Sequence, residues 1–419
     1  MVFKNISVIG LGYVGLSIAA SFANKKQTVL GIDNNQNIIN MLNQGKIHIH
    51  EPQLKNKVQK AIKNGYLQLF RKPQLSDVYL IAVPTPFKNK YIPNIDYIIN
   101  VINTIAPLLK KGNLIIVEST IPVGTTDKIA QLLAKIRTDL TFPQHSKHSD
   151  INIAYCPERV LPGDIMNEII KNDRIIGGMT TQCSKHASKL YKIILEGHYI
   201  YTNHKTAEIC KLVENSYRDV NIAFANELAY ICEKENINVW EVINLANRHP
   251  RVNILQPGPG VGGHCIAVDP WFIITKYQKI AKLIHTARNI NNQKPLYVAK
   301  HIKMVFKNYK IKTNKAANKI IIACFGITYK ADIDDIRESP SIKIIEKLTI
   351  WHKGPIYIIE PNIHNMPKSL NKNCQLVSID TAIKYADIIV FLVDHKEFKC
   401  INKDNISQQC IIDVKGIWN

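Results

Sequence analysis

Residues 6–33 read ISVIGLGYVGLSIAASFANKKQTVLGID. The apolar run Ile6 to Ile9 suits a buried strand, Leu16 to Asn24 is amphipathic at helical spacing, and Thr28 to Ile32 is a second apolar run, so the segment reads as a βαβ unit. Between strand and helix stand Gly10, Gly12 and Gly15, with Tyr13 and Val14 among them. The first glycine permits a tight turn, the second lets backbone amides approach a pyrophosphate, and the third lets helix pack on strand. The helix N-terminus then faces the negative charge. Asp33 closes the second strand about 20 residues on, where a carboxylate accepts both ribose hydroxyls and repels a 2′-phosphate. NAD is therefore favoured over NADP. The competing reading is a glycine-rich turn followed by a surface aspartate, and the ordered series of strand, glycines, helix and acid argues against it.

Further along, Val78 to Val83 and Leu114 to Val117 are short apolar runs, each followed by loop residues, PTP and STIPVG. Such runs fit a parallel sheet with ligands at its carboxyl ends. Ile151 to Tyr155 and Arg174 to Ile176 extend the same sheet, which places a doubly wound dinucleotide-binding domain at residues 1–203. From Thr206 to Lys234 apolar residues recur at three- and four-residue intervals without glycine or proline, which predicts one long helix. Val239 to Ala246 is a second helical stretch, and helical pattern resumes near Trp271 after the loop QPGPGVGGHCIAVDP. This gives a central helical region, residues 204–306. Lys307 to Lys319, rich in lysine and asparagine, reads as a linker. Ile320 to Phe325, a helix start at Ser339-Pro340, Ile356 to Ile359, Ile388 to Val393 and Cys410 to Val414 then alternate as a second α/β domain, residues 307–419. The expected fold class is α/β, with two Rossmann-like doubly wound domains joined by a long-helix region.

Composition narrows the function classes. The chain has 419 residues, 46% of them hydrophobic and 21% charged, as in a soluble globular protein of more than one domain. No apolar run approaches the roughly 18 to 20 residues of a membrane span, and the N-terminus lacks the apolar region and cleavage site of a secretory signal, so a cytoplasmic protein is expected. The formal charge of +21 is spread among asparagines and isoleucines, without a basic run or stacking aromatics, so neither nucleic acid nor membrane insertion is expected. Nine cysteines lie at least as far apart as Cys400 and Cys410. That spacing excludes a CxxC redox or zinc motif, and no metal is expected.

One cysteine stands apart. In Gly262-Gly263-His264-Cys265-Ile266-Ala267-Val268-Asp269 a thiol sits among glycines with a carboxylate four residues later. A lone cysteine is commonly a small core hydrophobe. Beside a dinucleotide domain, however, a thiol can add to an aldehyde, and the thiohemiacetal can lose hydride to give a thioester.

These motifs together resemble the UDP-glucose/GDP-mannose dehydrogenase family over essentially the whole chain. GLGYVG, VPTP at Val83 to Pro86, STIPVG at Ser119 to Gly124, CPER at Cys156 to Arg159, AEICKLVEN at Ala207 to Asn215, GGHCIAVD and YKADIDDIRESP at Tyr329 to Pro340 occur in the family's order and spacing. The wording NRHPRVNILQPGPGVGGHCIAVDPWFI is similar to the branch that oxidises UDP-N-acetyl-D-mannosamine for bacterial surface polysaccharides, of the enterobacterial common antigen type. Typical UDP-glucose dehydrogenases carry lysine before the loop aspartate, where this chain has Val268, which speaks against UDP-glucose.

The resemblance implies a homodimer built on the long helix, an N-terminal NAD domain, a C-terminal domain gripping UDP, and four-electron oxidation of a sugar C6 alcohol through Cys265. It makes Lys211 and Asn215, four apart on one helical face, stabilisers of the oxygen at C6. Without it, they would read equally well as a solvated helix face. Glu158 resembles the base that activates water, with Thr120 and Asp269 assisting; the plain alternative for Glu158 is a structural ion pair with a neighbouring basic residue. Arg159, Val160, Arg218, His249, Arg251, Gly262, Tyr329 and Lys330 match sugar-nucleotide contacts, Arg251 from across the dimer, with Tyr329 and Lys330 expected to end a strand. Thr85, Thr126 and Arg337 join the glycine loop as NAD contacts. The same chemistry on UDP-glucose, UDP-N-acetylglucosamine or GDP-mannose stays open, as does a two-electron hydroxyacid dehydrogenase in which Cys265 is merely structural.

Overall fold

The computed structural model describes residues 3–49, 51–88, 91–160, 163–370 and 373–418. The chain divides into two compact units, Met1–Val213 and Glu214–Asn419.

In the first unit the elements run β1 (Asn5–Ile9), α1 (Tyr13–Asn24), β2 (Thr28–Ile32), α2 (Gln36–Asn43), α3 (Leu54–Lys63), β3 (Leu67–Phe70) and β4 (Val78–Ile81). A short hairpin, β5 (Phe87–Lys88) and β6 (Ile92–Pro93), leads to α4 (Asp96–Ile105), β7 (Leu114–Val117), α5 (Thr125–Ile136) and β8 (Asn152–Tyr155). The unit continues with α6 (Ile165–Lys171), β9 (Arg174–Gly178), α7 (Thr181–Tyr191) and β10 (Tyr199–Asn203), and α8 (His204–Glu235) then begins. The main sheet has the order β10-β9-β8-β7-β4-β1-β2-β3. Its neighbours pair in parallel except β8 and β9, which are antiparallel. Strand alternation feeds two cores: Ile6, Val8, Val78 and Leu80 enter one, Ile9, Tyr79, Ile81 and Val117 the other. Burial on both faces explains why these strands read as unbroken apolar runs.

The remainder of α8 opens the second unit, followed by α9 (Val239–Ala246), α10 (Asp269–Lys276) and α11 (Lys282–Thr313). Next come β11 (Ile322–Phe325), α12 (Pro340–Trp351), β12 (Ile356–Ile359), β13 (Cys374–Leu376), α13 (Ile379–Tyr385), β14 (Ile388–Phe391), α14 (Lys396–Lys399) and β15 (Cys410–Asp413). Its sheet is wholly parallel in the order β13-β12-β11-β14-β15. Numbered within each sheet, β3-β2-β1-β4-β7 and β13-β12-β11-β14-β15 share the order 3-2-1-4-5, so both ends are doubly wound.

Two expectations are corrected. The stretch from Lys307 is no linker up to Thr313, because α11 runs through it. Its lysines mask an apolar stripe: Ile302 and Phe306 are buried against Ile344, Ile345 and Leu348, each burial contributing about 1.5–3 kcal/mol. The same packing ties the helical region and the C-terminal sheet into one unit. Tyr329 and Lys330 do not end a strand either; β11 stops at Phe325, and both lie in the loop beyond Gly326. The Ser339 cap stands where the sequence places it, its hydroxyl accepting from the Ile342 N–H.

Candidate active site

In a parallel sheet the loops at the carboxyl ends of the strands form the binding crevice. Gly10 follows β1, Asp33 follows β2, Thr85 follows β4, Thr120 follows β7 and Glu158 follows β8, so five expected site residues share one edge. Gly10 adopts φ +92, and a Cβ there would stand 2.6 Å from the Ala82 carbonyl oxygen. A Cβ on Gly15 would stand 1.8 Å from the Gly10 oxygen. Gly12 caps α1 with no side chain over its first amides and no acid in the first turn, which leaves a cradle suited to a pyrophosphate. Tyr13 and Val14 pack beneath it against the core. Asp33 Oδ2 accepts the Leu11 N–H at 3.0 Å and Oδ1 the Asn35 N–H at 2.9 Å, so the carboxylate is locked to the glycine loop. The chain's groups therefore fit a dinucleotide. Thr126 is fully buried at the start of α5, and both its N–H and its hydroxyl donate to Glu208, at 2.8 and 2.7 Å. Thr85 is half-buried in the loop after β4.

The same edge holds the expected base. Glu158 is buried; its Oε1 accepts the Arg159 N–H at 2.7 Å and its Oε2 pairs with Arg174. Lys211 Nζ donates to the Glu158 carbonyl oxygen at 2.7 Å, so α8 delivers its lysine to the CPER loop. Arg159 is exposed and Val160 half-buried. The ion pair foreseen for Glu158 exists, though its partner is the distant Arg174 rather than a chain neighbour.

In the second unit Asn215 Nδ2 donates to Asp269 Oδ2 at 2.5 Å, and both residues are buried. The Asp269 N–H donates to the Cys265 carbonyl at 2.8 Å, which folds the thiol loop onto the start of α10. Gly262 and Gly263 press on Tyr329: a Cβ on either would meet its side chain at 2.7 or 2.8 Å, and Gly263 adopts φ +78. Cys265, Asn215, Asp269, Gly262 and Tyr329 thus come together. Lys330 is exposed beside them in sequence, and the Arg337 guanidinium forks onto Asp335. Arg218, His249 and Arg251 are exposed; the last two share a turn after α9, the His249 Nδ1 accepting the Arg251 N–H at 3.3 Å.

Of the nine free cysteines four are buried, Cys210, Cys265, Cys374 and Cys410 are half-exposed, and Cys400 is exposed. Cys156, Cys183, Cys232 and Cys324 are buried, and burial pushes the Cys156 thiol up to about 12 and Cys324 still higher. Cys374 is raised by burial to about 11. Cys265 is half-exposed on a glycine loop, and its carbonyl accepts the N–H of Asp269, the residue whose carboxylate holds Asn215. Such partly exposed sites are where thiolate chemistry occurs.

Three family profiles cover nearly all of the chain: the UDP-glucose/GDP-mannose dehydrogenase family's NAD binding domain at residues 4–195, central domain at 205–293 and UDP binding domain at 323–419. The chain belongs to the UDP-glucose/GDP-mannose dehydrogenase family. Within the family it is 55% identical, over the whole of both chains, to the UDP-N-acetyl-D-mannosamine dehydrogenase of Escherichia coli K12. The solved UDP-D-ManNAc dehydrogenase of Pyrococcus horikoshii superposes with a TM-score of 0.88 at 36% identity, covering 99% of this chain and 96% of that one. The Staphylococcus aureus UDP-N-acetyl-mannosamine dehydrogenase superposes at 0.86 with 41% identity, covering 99% and 95%. As a member of this dehydrogenase family the protein is an NAD-dependent enzyme, and the glycine cradle and Asp33 are the part of its NAD binding domain that fits the cofactor.

Sequence reasoning missed three supporting groups. Glu208, fully buried within AEICKLVEN, accepts from Gly124 and Thr126 and anchors the start of α5. Arg288 and Asp219, both fully buried, pair at 2.6 Å, and Arg288 also donates to the Ile266 carbonyl next to Cys265. Arg174 and Glu118 pair beneath Glu158. Charged residues that meet from separate helices and strands, far apart in sequence, carry no periodic signal that marks them as buried. Asp332, His395 and Glu397 approach closely enough to hold an ion. The buried His395 is already engaged there: its Nδ1 accepts the Asp332 N–H at 3.0 Å and its Nε2 faces Glu360 Oε2 at 3.1 Å. This pairing braces the loop that carries Tyr329.

Proposed function

We propose that the chain oxidises the C6 alcohol of UDP-N-acetyl-D-mannosamine to the carboxylate of UDP-N-acetyl-D-mannosaminuronate, consuming two NAD and one water, with Cys265 as the covalent carrier. The observation that bears most weight is the half-exposed Cys265 on the loop that folds onto the buried Asn215–Asp269 pair, in a chain 55% identical throughout to an enzyme of that name. Bound NAD provides the hydride acceptor in each of the two oxidations. Lys211 and Asn215, one turn apart on α8, hold the C6 oxygen and stabilise negative charge as it develops there. The Cys265 thiolate adds to the aldehyde carbon; loss of hydride from that adduct leaves a thioester, so the aldehyde never departs. Glu158, with Thr120, then takes a proton from water as its oxygen bonds to the thioester carbon; the C–S bond breaks and Cys265 leaves as thiolate. Asp269 holds Asn215 and participates in the proton balance. Arg159, Val160, Arg218, His249, Arg251, Gly262, Tyr329 and Lys330 grip the sugar nucleotide, arginine's planar fork suiting the diphosphate. Thr85, Thr126 and Arg337 complete the NAD site. The functional form is a cytoplasmic homodimer joined along α8, in service of surface polysaccharide synthesis.

The test counts NADH released per UDP-N-acetyl-D-mannosamine, with UDP-glucose, UDP-N-acetylglucosamine and GDP-mannose as competing substrates. Two NADH per molecule, with little turnover of the others, supports both chemistry and sugar. One NADH per molecule overturns the covalent route, and turnover confined to another nucleotide sugar overturns the substrate.

A further inference from the structure

The β8–β9 pair is the only antiparallel step in the described main sheet, and it brings a basic residue to the edge where the candidate base stands. Ala154 faces Gly178 and Tyr155 faces Gly177; that register, continued three residues, sets Glu158 opposite Arg174, the first residue of β9. The guanidinium divides itself between two carboxylates: one nitrogen pairs with Glu158 Oε2, another with Glu118 Oε1 at the end of β7. The Tyr191 hydroxyl donates to the same Glu118 oxygen, and its ring lies 4.4 Å from the guanidinium carbon. All four side chains are at most 6% exposed. With one Glu158 oxygen on Arg174 and the other on the Arg159 N–H, the carboxyl group is held at both ends.

We propose that Arg174, anchored by Glu118 and Tyr191, is the positioning residue that aims the Glu158 carboxylate at the water that cleaves the Cys265 thioester. The inference rests on the reading of Glu158 as the base. It explains why an arginine is buried among two acids. One cation serves two carboxylates. Burial pushes the Glu118 carboxyl up to about 7, Arg174 opposing and Glu158 adding to it. A buried, mutually hydrogen-bonded set also holds an angle to a tolerance that a solvated side chain does not, and a misplacement of about 1 Å costs roughly a hundredfold in rate.

The experiment follows NADH formation by stopped flow with the full chain, NAD and whichever nucleotide sugar it turns over. Acid-quenched samples are digested and weighed for a sugar adduct on Cys265. Arg174→Lys keeps charge but not the fork, Glu118→Gln is isosteric and frees the anchor, and Glu158→Gln is the reference for loss of the base. Expected for Arg174→Lys and Glu118→Gln is a wild-type burst of both oxidation steps, then steady-state turnover slowed about ten- to a hundredfold with the Cys265 adduct accumulating. A burst and a steady state that slow together, or turnover that does not change, overturns the positioning role. Should Arg174→Lys fail to fold, as judged by circular dichroism, Glu118→Gln decides alone. If Glu158→Gln itself accumulates no adduct, the assignment of the base has failed; if it does and the other two turn over normally, only the role of Arg174 has.

Discussion

Replacing Arg288 by Met tests whether the buried Arg288–Asp219 pair holds the second unit together. Both side chains are fully buried, their contact is 2.6 Å, and Asn291 adds a bond of 2.8 Å to the same Asp219 oxygen. Removing one partner of a buried pair strands the other charge and costs about 3–5 kcal/mol. For a unit of this size each kcal/mol moves the midpoint by about 2–4 °C, so the apparent Tm should fall by roughly 6–20 °C. The fall should depend on pH. Burial already pushes the Asp219 carboxyl up to about 6 against the opposing pull of Arg288 and Asn291, and without Arg288 it moves higher. A carboxyl whose folded value lies above its unfolded value of about 3.9 favours the folded state below that lower value, and this favour is lost as pH rises through the folded value. The deficit of Arg288→Met relative to the parent should therefore be greatest at pH 8 and narrow at pH 5. Melts of both proteins by circular dichroism, under reducing conditions and without ligands, give the answer. Equal deficits at the two pH values, or a deficit under about 2 °C, would refute the reasoning, since exposed pairs contribute no more than that. The double variant Arg288→Met with Asp219→Leu should recover stability over the single one.

Gly15→Ala places a methyl group 1.8 Å from the Gly10 oxygen, so α1 must move away from the turn. Affinity for NAD measured by calorimetry should fall at least about tenfold, a loss of roughly 1.4 kcal/mol, and unchanged affinity would show that the turn is no cofactor cradle. Glu360→Gln addresses the brace under Tyr329. Burial pushes the Glu360 carboxyl upward, yet His395 and the N–H groups of Ile327 and Asn362 outweigh it and hold the carboxyl below its usual value. The stability it contributes is present above the unfolded value and is lost as pH falls through the lower folded one, so the Tm gap between parent and variant at pH 7 should close below about pH 4. A gap that persists in acid would mean that the charge does not matter.

The central strands were legible because both faces of each sheet are covered. Ile6 to Ile9, Thr28 to Ile32, Leu114 to Val117 and Ile356 to Ile359 have no polar alternation to confuse with a helix, and glycine or proline ends several of them. The long helix α8 was read within two residues at its start and one at its end, since no breaker interrupts its periodicity. Composition misled where apolar anchors were sparse. Lys307 to Thr313 is helical because the packing of Ile302 and Phe306 is propagated by continuous backbone hydrogen bonds, a tertiary cause that a lysine-rich window conceals. The reversal of β9 was equally hidden: an apolar run has no direction until its neighbours fix one.

The candidate site divides along the same line. Residues whose function requires a particular backbone, Gly10, Gly15 and Gly263, are visible because no other residue type meets the contact: each sits where a Cβ would clash. Cys265, Asn215, Asp269, Lys211 and Glu158 are single polar residues, and only the resemblance of their surrounding motifs to a dehydrogenase family raised them above core thiol, helix face or ion pair. The structure then showed why the ion-pair reading and the catalytic reading of Glu158 need not compete. A buried carboxylate requires a buried counter-charge, and the nearest chain neighbour, Arg159, is exposed while the distant Arg174 is buried. Such a partner arrives from another strand, so the residues that most constrain the candidate base are those that sequence proximity is least able to reveal.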